Sequence, residues 1–487
     1  MKFLINNLYT EVVASNVPQE LIEICIFSRV HFYKRRVNQS DIAKGKATRS
    51  QRFITERKII NYNYFDYKNN TIPTGILYKV FNYLDNNNIC FDYEDRRVHP
   101  PRDKQFSEIN TGIVLRKEYQ EEAFRIMRNA ERGIINHACN SGKTYLAIEI
   151  CNQFGLQTLY IVPNKTLLVQ TYNLFKEYLG NFVGIIGAGR FEPSLFNIAT
   201  IQTLWTRFNM PEIREILFKV YILIIDEVHH LSFKSKNQLK KGAMPFNTYY
   251  QIAMATPNAY YRFGLTATPG EKDSLERGLL ESVTSRVLHV TTQSQLILWG
   301  YSCKPTVKMI KHTINNKYQD WQTAYKEEIY DNYEFNKKVA DIAENYVKQK
   351  KSVLIIITRV KTQLALLQEL LPNAIIAYGK TKNREKIFKE FESKTNVILI
   401  STLVSEGINL PAVDILILAS GNKSKKLVTQ RLGRAVRQRT GKNNVIIIDF
   451  MFEGEKYTHQ HSLNRLKYFK EEELFDVEIV ENKNFFC

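Results

Sequence analysis

Between Ile134 and Ile148 an apolar start passes through Asn136-His137-Ala138-Cys139-Asn140 into Ser141-Gly142-Lys143-Thr144, and then into a second apolar pattern. Strand, tight loop and helix start in that order make an anion cradle. Loop N–H groups point inward, the helix dipole adds positive potential, and Lys143 supplies a mobile charge. Thr144 can place its hydroxyl on a Mg²⁺ ion bridging two phosphates. His137 stands where the strict phosphate-loop pattern has its first glycine, and Asn140 replaces the glycine often seen before the closing Gly-Lys-Thr. Asparagine tolerates left-handed backbone angles, so the loop remains feasible. Taken alone, the stretch is equally well read as an ordinary Gly-Lys-Thr at a helix start.

Tyr221-Ile-Leu-Ile-Ile-Asp-Glu-Val-His-His230 is the second anchor, and its Asp226 follows Lys143 by 83 residues. A buried strand ending in two carboxylates suits metal-assisted hydrolysis. Asp226 can hold Mg²⁺ through water while Glu227 orients and deprotonates the attacking water. Other pieces follow a consistent order. Gln120, in Leu115-Arg-Lys-Glu-Tyr-Gln120, has the paired donor and acceptor needed to read an adenine edge. Ile161-Val-Pro-Asn-Lys165 and Ala199-Thr-Ile-Gln-Thr203 sit at strand ends where Pro163, Lys165 and Thr203 can hold a phosphodiester chain. Gly264-Leu-Thr-Ala-Thr-Pro269 sets Thr266 and Thr268 within reach of His229, and Ser401-Thr402 opens a polar loop that continues to Pro411. In Gln430-Arg-Leu-Gly-Arg-Ala-Val-Arg437, Arg434 and Arg437 share a helix face. Beside a phosphate site they read as arginine fingers supplied across a cleft.

The elements that must position these groups are short apolar strands alternating with helices, the pattern of an α/β parallel sheet covered on both faces. Candidate strands are 134–138, 158–162, 197–200, 221–225 and 263–266, and a second set runs 353–358, 374–378, 397–401, 415–419 and 445–450. Two tandem domains, 111–305 and 306–487, are expected, with a polar helical connector at 311–350. Residues 1–110 read as a small basic α+β domain. Between Ser28 and Ile59 ten basic residues, among them Lys34, Arg35 and Arg36, face two acidic ones, interleaved with His31, Phe32 and Tyr33. That mixture favours a nucleic-acid surface. Asp41–Gln51 reads as a mobile basic loop, Thr74 as the cap of a helix through Leu84, and Ile89–Tyr93 as a strand.

The totals agree. A chain of 487 residues with 44% hydrophobic and 12% aromatic content can bury more than one core, which excludes general disorder. A net charge of +19 implies an anionic partner. No apolar run approaches a bilayer span, and the first residues form too short a run for a signal peptide. Six scattered cysteines with no C-x-x-C pair argue against a zinc ribbon, an iron–sulfur cluster or a disulfide framework.

The ordered set from Arg116 to Asp449 resembles the superfamily 2 helicases and translocases of the DExH type. Within that superfamily, Thr74-Gly-Ile-Leu77 and Tyr93-Glu-Asp-Arg-Arg97 look like the phage UvsW-type DNA helicases. The resemblance implies two RecA-like lobes using ATP and Mg²⁺, with a nucleic-acid strand running over both. It assigns Arg116, Gln120, Asn140, Ser141, Gly142, Lys143 and Thr144 to the nucleotide. Asp226 and Glu227 fall to metal and water, His229, Thr266 and Thr268 to coupling, and Gln430, Arg434 and Arg437 to the finger motif. Gly407 and Asn409 fall in the second-domain loop, where Asn409 replaces an aspartate of many relatives. It also implies a monomer in the cytoplasm of a bacterial or phage-infected cell. The expected function is ATP-driven movement on branched or partly duplex DNA. The alternatives are an RNA helicase, a duplex translocase that never separates strands, and a nucleic-acid-binding module without ATPase activity.

Overall fold

The computed structural model describes residues 1–36, 40, 53–101, 106–233, 246–379, 381, 384–402, 413–421 and 444–481. They form two compact units, Met1–Asn136 with Thr144–His289, and His137–Lys143 with Val290–Cys487.

The chain opens with β1 (Lys2–Ile5) and β2 (Tyr9–Val13), then sends out a two-stranded ribbon, β3 (Ile26–Arg36) and β4 (Phe53–Asn63). β5 (Thr71–Pro73) and β6 (Asp92–Asp95) complete a four-stranded sheet in the order β5-β2-β1-β6. The ribbon is antiparallel from Ile26↔Asn63 to Arg36↔Phe53, a reach of roughly 35 Å for each strand. Thr74 does not cap the next helix. It begins a 3₁₀ turn and donates its hydroxyl to the Asn6 carbonyl at 2.7 Å, and the helix proper is Leu77–Asn86. The strand expected at 89–93 lies at Asp92–Asp95, where it pairs with β1 from Lys2↔Asp92. The expected basic loop at 41–51 is outside the described residues.

These N-terminal elements share one core with the helix Leu275–Val283: Phe3, Val12, Phe27, Ile76 and Leu77 pack in the same cluster as Leu275, Leu279 and Val283. Two glycines permit the contact. A Cβ on Gly75 would come within 2.1 Å of the Glu281 carbonyl oxygen, and one on Gly278 within 2.4 Å of the Phe27 ring. Polar contacts reinforce it, with Tyr78 Oη donating to Glu281 Oε2 at 2.9 Å and Lys79 Nζ to Asp273 Oδ1 at 2.7 Å.

An eight-stranded sheet follows, made of β7 (Arg132–His137), β8 (Thr158–Val162), β9 (Val183–Gly187), β10 (Arg190–Glu192), β11 (Phe196–Thr200), β12 (Ile222–Asp226), β13 (Tyr261–Thr266) and β14 (Val287–Thr291). Its order is β10-β9-β11-β8-β12-β13-β7-β14. Every residue of β8, β11 and β12 is buried. That is why these strands read as unbroken apolar runs rather than alternating ones. The five expected strands lie within two residues of observed ones, and β9, β10 and β14 were not expected. Arg132 and Arg262 sit opposite each other on β7 and β13, both buried, with their guanidiniums on backbone carbonyls. Burial first, and then the charge of Arg97 on Arg132 and of Arg132 on Arg262, pull their pKa values down to about 10 and about 9.

The second sheet comprises β15 (Lys304–Thr313), β16 (Val353–Ile356), β17 (Ile375–Ala377), β18 (Ile398–Ser401), β19 (Ile415–Leu418), β20 (Asn444–Glu453) and β21 (Asp476–Val480). Its order is β17-β18-β16-β19-β20-β15-β21, and every pairing is parallel. The stretch 311–350 departs from the expected connector. It begins as the end of β15, and its helix Tyr333–Lys348 buries Phe335, Val339, Ile342 and Ala343 in one core with Ile355, Ile417 and Phe450. Its charges line the outer face, which made the whole stretch look polar.

On β20, buried Asp449 takes a two-point ion pair from buried Arg465, at 2.8 and 3.1 Å. Burial depresses the Arg465 guanidinium, but the Asp449 carboxylate more than offsets this and its pKa is raised. Arg465→Ala strands a buried carboxylate. It should cost about 3–5 kcal/mol, read as a lowered urea midpoint. A change within about 0.5 kcal/mol, typical of a surface site, would show the pair to be dispensable.

Candidate active site and nucleic-acid interface

β7 ends at His137 and the helix Lys143–Phe154 begins six residues later. Between them Asn140 and Gly142 take φ of +65° and +75°, the left-handed angles that asparagine and glycine supply most readily. His137, in the place of a glycine, is fully buried, as is Ser141. Lys143 Nζ donates to the carbonyls of His137 at 2.9 Å and Ala138 at 3.1 Å. The ammonium therefore rests on two neutral dipoles, which charged phosphate oxygens can displace.

Asp226 closes β12, largely buried, with its Oδ1 accepting from the Glu227 N–H at 3.0 Å. Glu227 adopts φ 49°, ψ 51°, a left-handed conformation costing a non-glycine residue about 1–3 kcal/mol. A 3₁₀ turn, Val228–His230, follows and packs Val228 on β13. Gly264 makes room there, since a Cβ would lie 2.9 Å from Val228 Cγ1. This turn carries His229 inward. Its Nδ1 lies 3.2 Å from Glu227 Oε2, 2.7 Å from Thr266 Oγ1 and 3.4 Å from Thr268 Oγ1. One ring nitrogen thus touches Glu227 of the acid pair and both threonines, Thr266 at the end of β13 and Thr268 just beyond it.

Gln120 opens the helix Gln120–Ala130, buried, and its Oε1 accepts from the Arg116 N–H at 2.9 Å. Arg116 Nη1 donates to Tyr119 Oη at 2.8 Å. Tyr160, on β8, was not foreseen as part of the site. Its fully buried phenol is held well above its ordinary range by burial and then by the Asp226 carboxylate, and Thr144 also bears on it. The residue stands opposite Ile224, two before Asp226, on the neighbouring strand. Only the pairing of β8 with β12 shows that.

Pro163 and Thr203, 40 residues apart in sequence, are brought together when Gln202 Nε2 donates to the Pro163 carbonyl at 2.8 Å. Asn164 caps the helix Lys165–Leu179 and leaves Lys165 exposed. Thr203 Oγ1 accepts from Thr200 Oγ1 at 2.9 Å. Thr402 follows β18 in the second unit and is half-buried. Lys34, Arg35 and Arg36 are the last three positions of β3. Gly407, Asn409, Gln430, Arg434 and Arg437 lie outside the described residues.

A phosphate-type loop and an acid pair at the ends of parallel strands, with a second parallel sheet in the same chain, define a nucleoside-triphosphate-driven motor. Residues 113–271 match the family described as Type III restriction enzyme, res subunit, and residues 337–439 match the Helicase conserved C-terminal domain. The chain is 25% identical over 393 residues to the DNA 3'-5' translocase XPB2 of Sulfurisphaera tokodaii, covering 72% of this chain and 84% of that protein. It is also 25% identical over 384 residues to "Probable helicase D10" of Escherichia phage T5, covering 76% and 78%. Among solved structures, Mss116p bound to single-stranded RNA and AMP-PNP superposes at a TM-score of 0.52 and 13% identity, covering 79% of this chain and 81% of that one. That similarity speaks for the fold, a pair of RecA-like lobes. The chain is a superfamily 2 helicase, an ATP-dependent enzyme that binds nucleic acid. Among the described residues, no helix is long and apolar enough to cross a membrane.

Proposed function

We propose that this helicase is a monomeric motor acting on forked or partly duplex DNA, with residues 111–305 binding ATP, 306–487 completing hydrolysis, and 1–110 selecting the substrate. The observation that carries the substrate reading is the mounting of the basic ribbon. β3 begins at Ile26, and the adjoining Phe27 is packed on Gly278 of the helix that follows Thr266 and Thr268. A ribbon of that reach, held on the element next to the coupling threonines, suits a duplex arm beside the tracked strand. The name of the archaeal relative, a DNA translocase, also favours DNA.

One carboxylate and one hydroxyl are a donor set that suits Mg²⁺, which keeps water and takes phosphate oxygens as its other ligands. Thr144 and Asp226 would hold the ion, which neutralises charge on the phosphates when bound. Lys143 exchanges its two loop carbonyls for phosphate oxygens. Glu227 takes the proton of the attacking water. His229, touching Glu227 and both threonines, transmits a shift of that carboxylate to the end of β13. Gln120 reads the adenine, and Pro163, Lys165, Thr203 and Thr402 hold the strand.

ATP turnover measured side by side with single-stranded, duplex and forked DNA and with RNA tests the reading. Forked DNA should stimulate most, and stimulation by RNA alone would replace it with an RNA helicase. Neutralising Lys34, Arg35, Arg36, Lys44, Lys46 and Arg49 should weaken forked-DNA binding. Each lost phosphate contact should flatten the salt slope by about 0.9. ATP turnover at saturating DNA should survive. Wild-type affinity and salt slope would leave the N-terminal domain as a structural cap.

A further inference from the structure

An exposed group of aromatic and cationic side chains lies just beyond Thr203. The helix Ile201–Thr206 ends in Trp205, and the chain continues Thr206-Arg207-Phe208. Trp205 is 37% exposed and its ring stacks on Phe208, with centroids 5.7 Å apart. Arg207 crosses to the sheet edge, its guanidinium 5.7 Å from the ring centre of Phe191 on β10, itself 36% exposed. Arg214 lies 6.0 Å from the Phe208 ring centre. Arg190, next to Phe191, is paired with Glu192, whereas Arg207 and Arg214 have no carboxylate partner among the described residues.

Large aromatic rings left in water, held flat by arginines with unneutralised charge, suit one chemistry well. Unpaired bases offer π-faces to the rings, and the phosphates between them meet the guanidiniums. A paired duplex hides those faces. The place also fits, because Thr203 shares a helix with Trp205, and Gly187 at the end of β9 closes against Thr200 and Thr203. A strand held at Thr203 and leaving over the β9–β10 edge meets Trp205, Arg207 and Phe191 next.

We propose that Trp205, Arg207 and Phe191 form a base-stacking platform that takes single-stranded nucleic acid as it leaves the phosphate-holding residue Thr203. The proposal rests on the reading of this chain as a nucleic-acid motor and adds where, and through which groups, bases are gripped. The chain has three tryptophans, Trp205, Trp299 and Trp321, so the full-length W299F/W321F protein reports on Trp205 alone. Its emission should be quenched by an oligo(dT) strand, and not by an abasic strand of equal length or a blunt duplex. In the otherwise wild-type chain, Trp205→Ala should weaken oligo(dT) binding roughly 5- to 150-fold, the range for one lost base stack. Abasic-strand affinity should hold, which also shows that the variant is folded, and Trp205→Phe should restore the preference for bases. Equal ratios of oligo(dT) to abasic affinity in Trp205→Ala and wild type would overturn the platform, as would quenching by the duplex. If single strands stimulate wild-type ATP turnover but leave Trp205 emission unchanged, the platform alone fails. If no nucleic acid stimulates turnover, the motor reading fails with it.

Discussion

Arg434→Ala and Arg437→Ala should each lose roughly 10³–10⁵ of nucleic-acid-stimulated ATP turnover while still binding Mg-ATP, the penalty typical of a lost arginine finger. The two arginines are three residues apart in Gln430-Arg-Leu-Gly-Arg-Ala-Val-Arg437. The segment that carries them leaves β19 at Gly421 and returns as β20. Among the described residues flanking it, Arg465 donates to the Gly421 carbonyl at 3.1 Å and pairs with Asp449 on β20. Tyr325 Oη donates to the same carbonyl, and Gly421 takes φ +59° with the Tyr325 ring 2.8 Å from where a Cβ would stand. Arginines on a solvated helix face would contribute little. Steady-state turnover and binding of a fluorescent ATP analogue separate the cases, and near-wild-type turnover in both variants would return these residues to the surface.

Glu227→Gln should lower turnover by roughly 10²–10⁴, the usual contribution of a general base, and leave Mg-ATP bound. The amide keeps the shape of the side chain but cannot take a proton. Lys143→Ala should fail differently, because Lys143 meets the phosphates in both ground and transition states. Its loss should therefore weaken binding as well as chemistry. Glu227→Gln has a further consequence through His229, whose Nδ1 sits 3.2 Å from the carboxylate being changed and 2.7 Å from Thr266. Coupling should suffer beside hydrolysis, so nucleic-acid binding should respond less to nucleotide in the variant than in wild type. Hydrolysis at near wild-type rate in Glu227→Gln would falsify the assignment of the base.

The sequence alone determined the order of the motifs and, in the first sheet, the strands at whose ends they lie. A central parallel strand is buried on both faces, so Thr158–Val162 and Ile415–Leu418 read as plain apolar runs whatever surrounds them. Gly-Lys-Thr and Asp-Glu take their phosphate and acid reading from standing in order with the other motifs, each at the end of an apolar run. Strands with exposed positions gave no such signal. In β15, Lys304-Pro-Thr-Val-Lys-Met-Ile-Lys-His-Thr313 mixes four basic residues with its buried ones, and β10 is three exposed residues. β15 takes its pairing from β20 and β21, far away in the chain. Tertiary structure alone decided what lies across those distances. It set Tyr160 beside Asp226 through the pairing of β8 with β12, fixed at 2.7 Å the His229–Thr266 contact that the sequence places only within reach, and joined the N-terminal sheet to the helix Leu275–Val283. No local pattern records such contacts, because each depends on which strands become neighbours and on glycines whose missing Cβ lets two backbones approach.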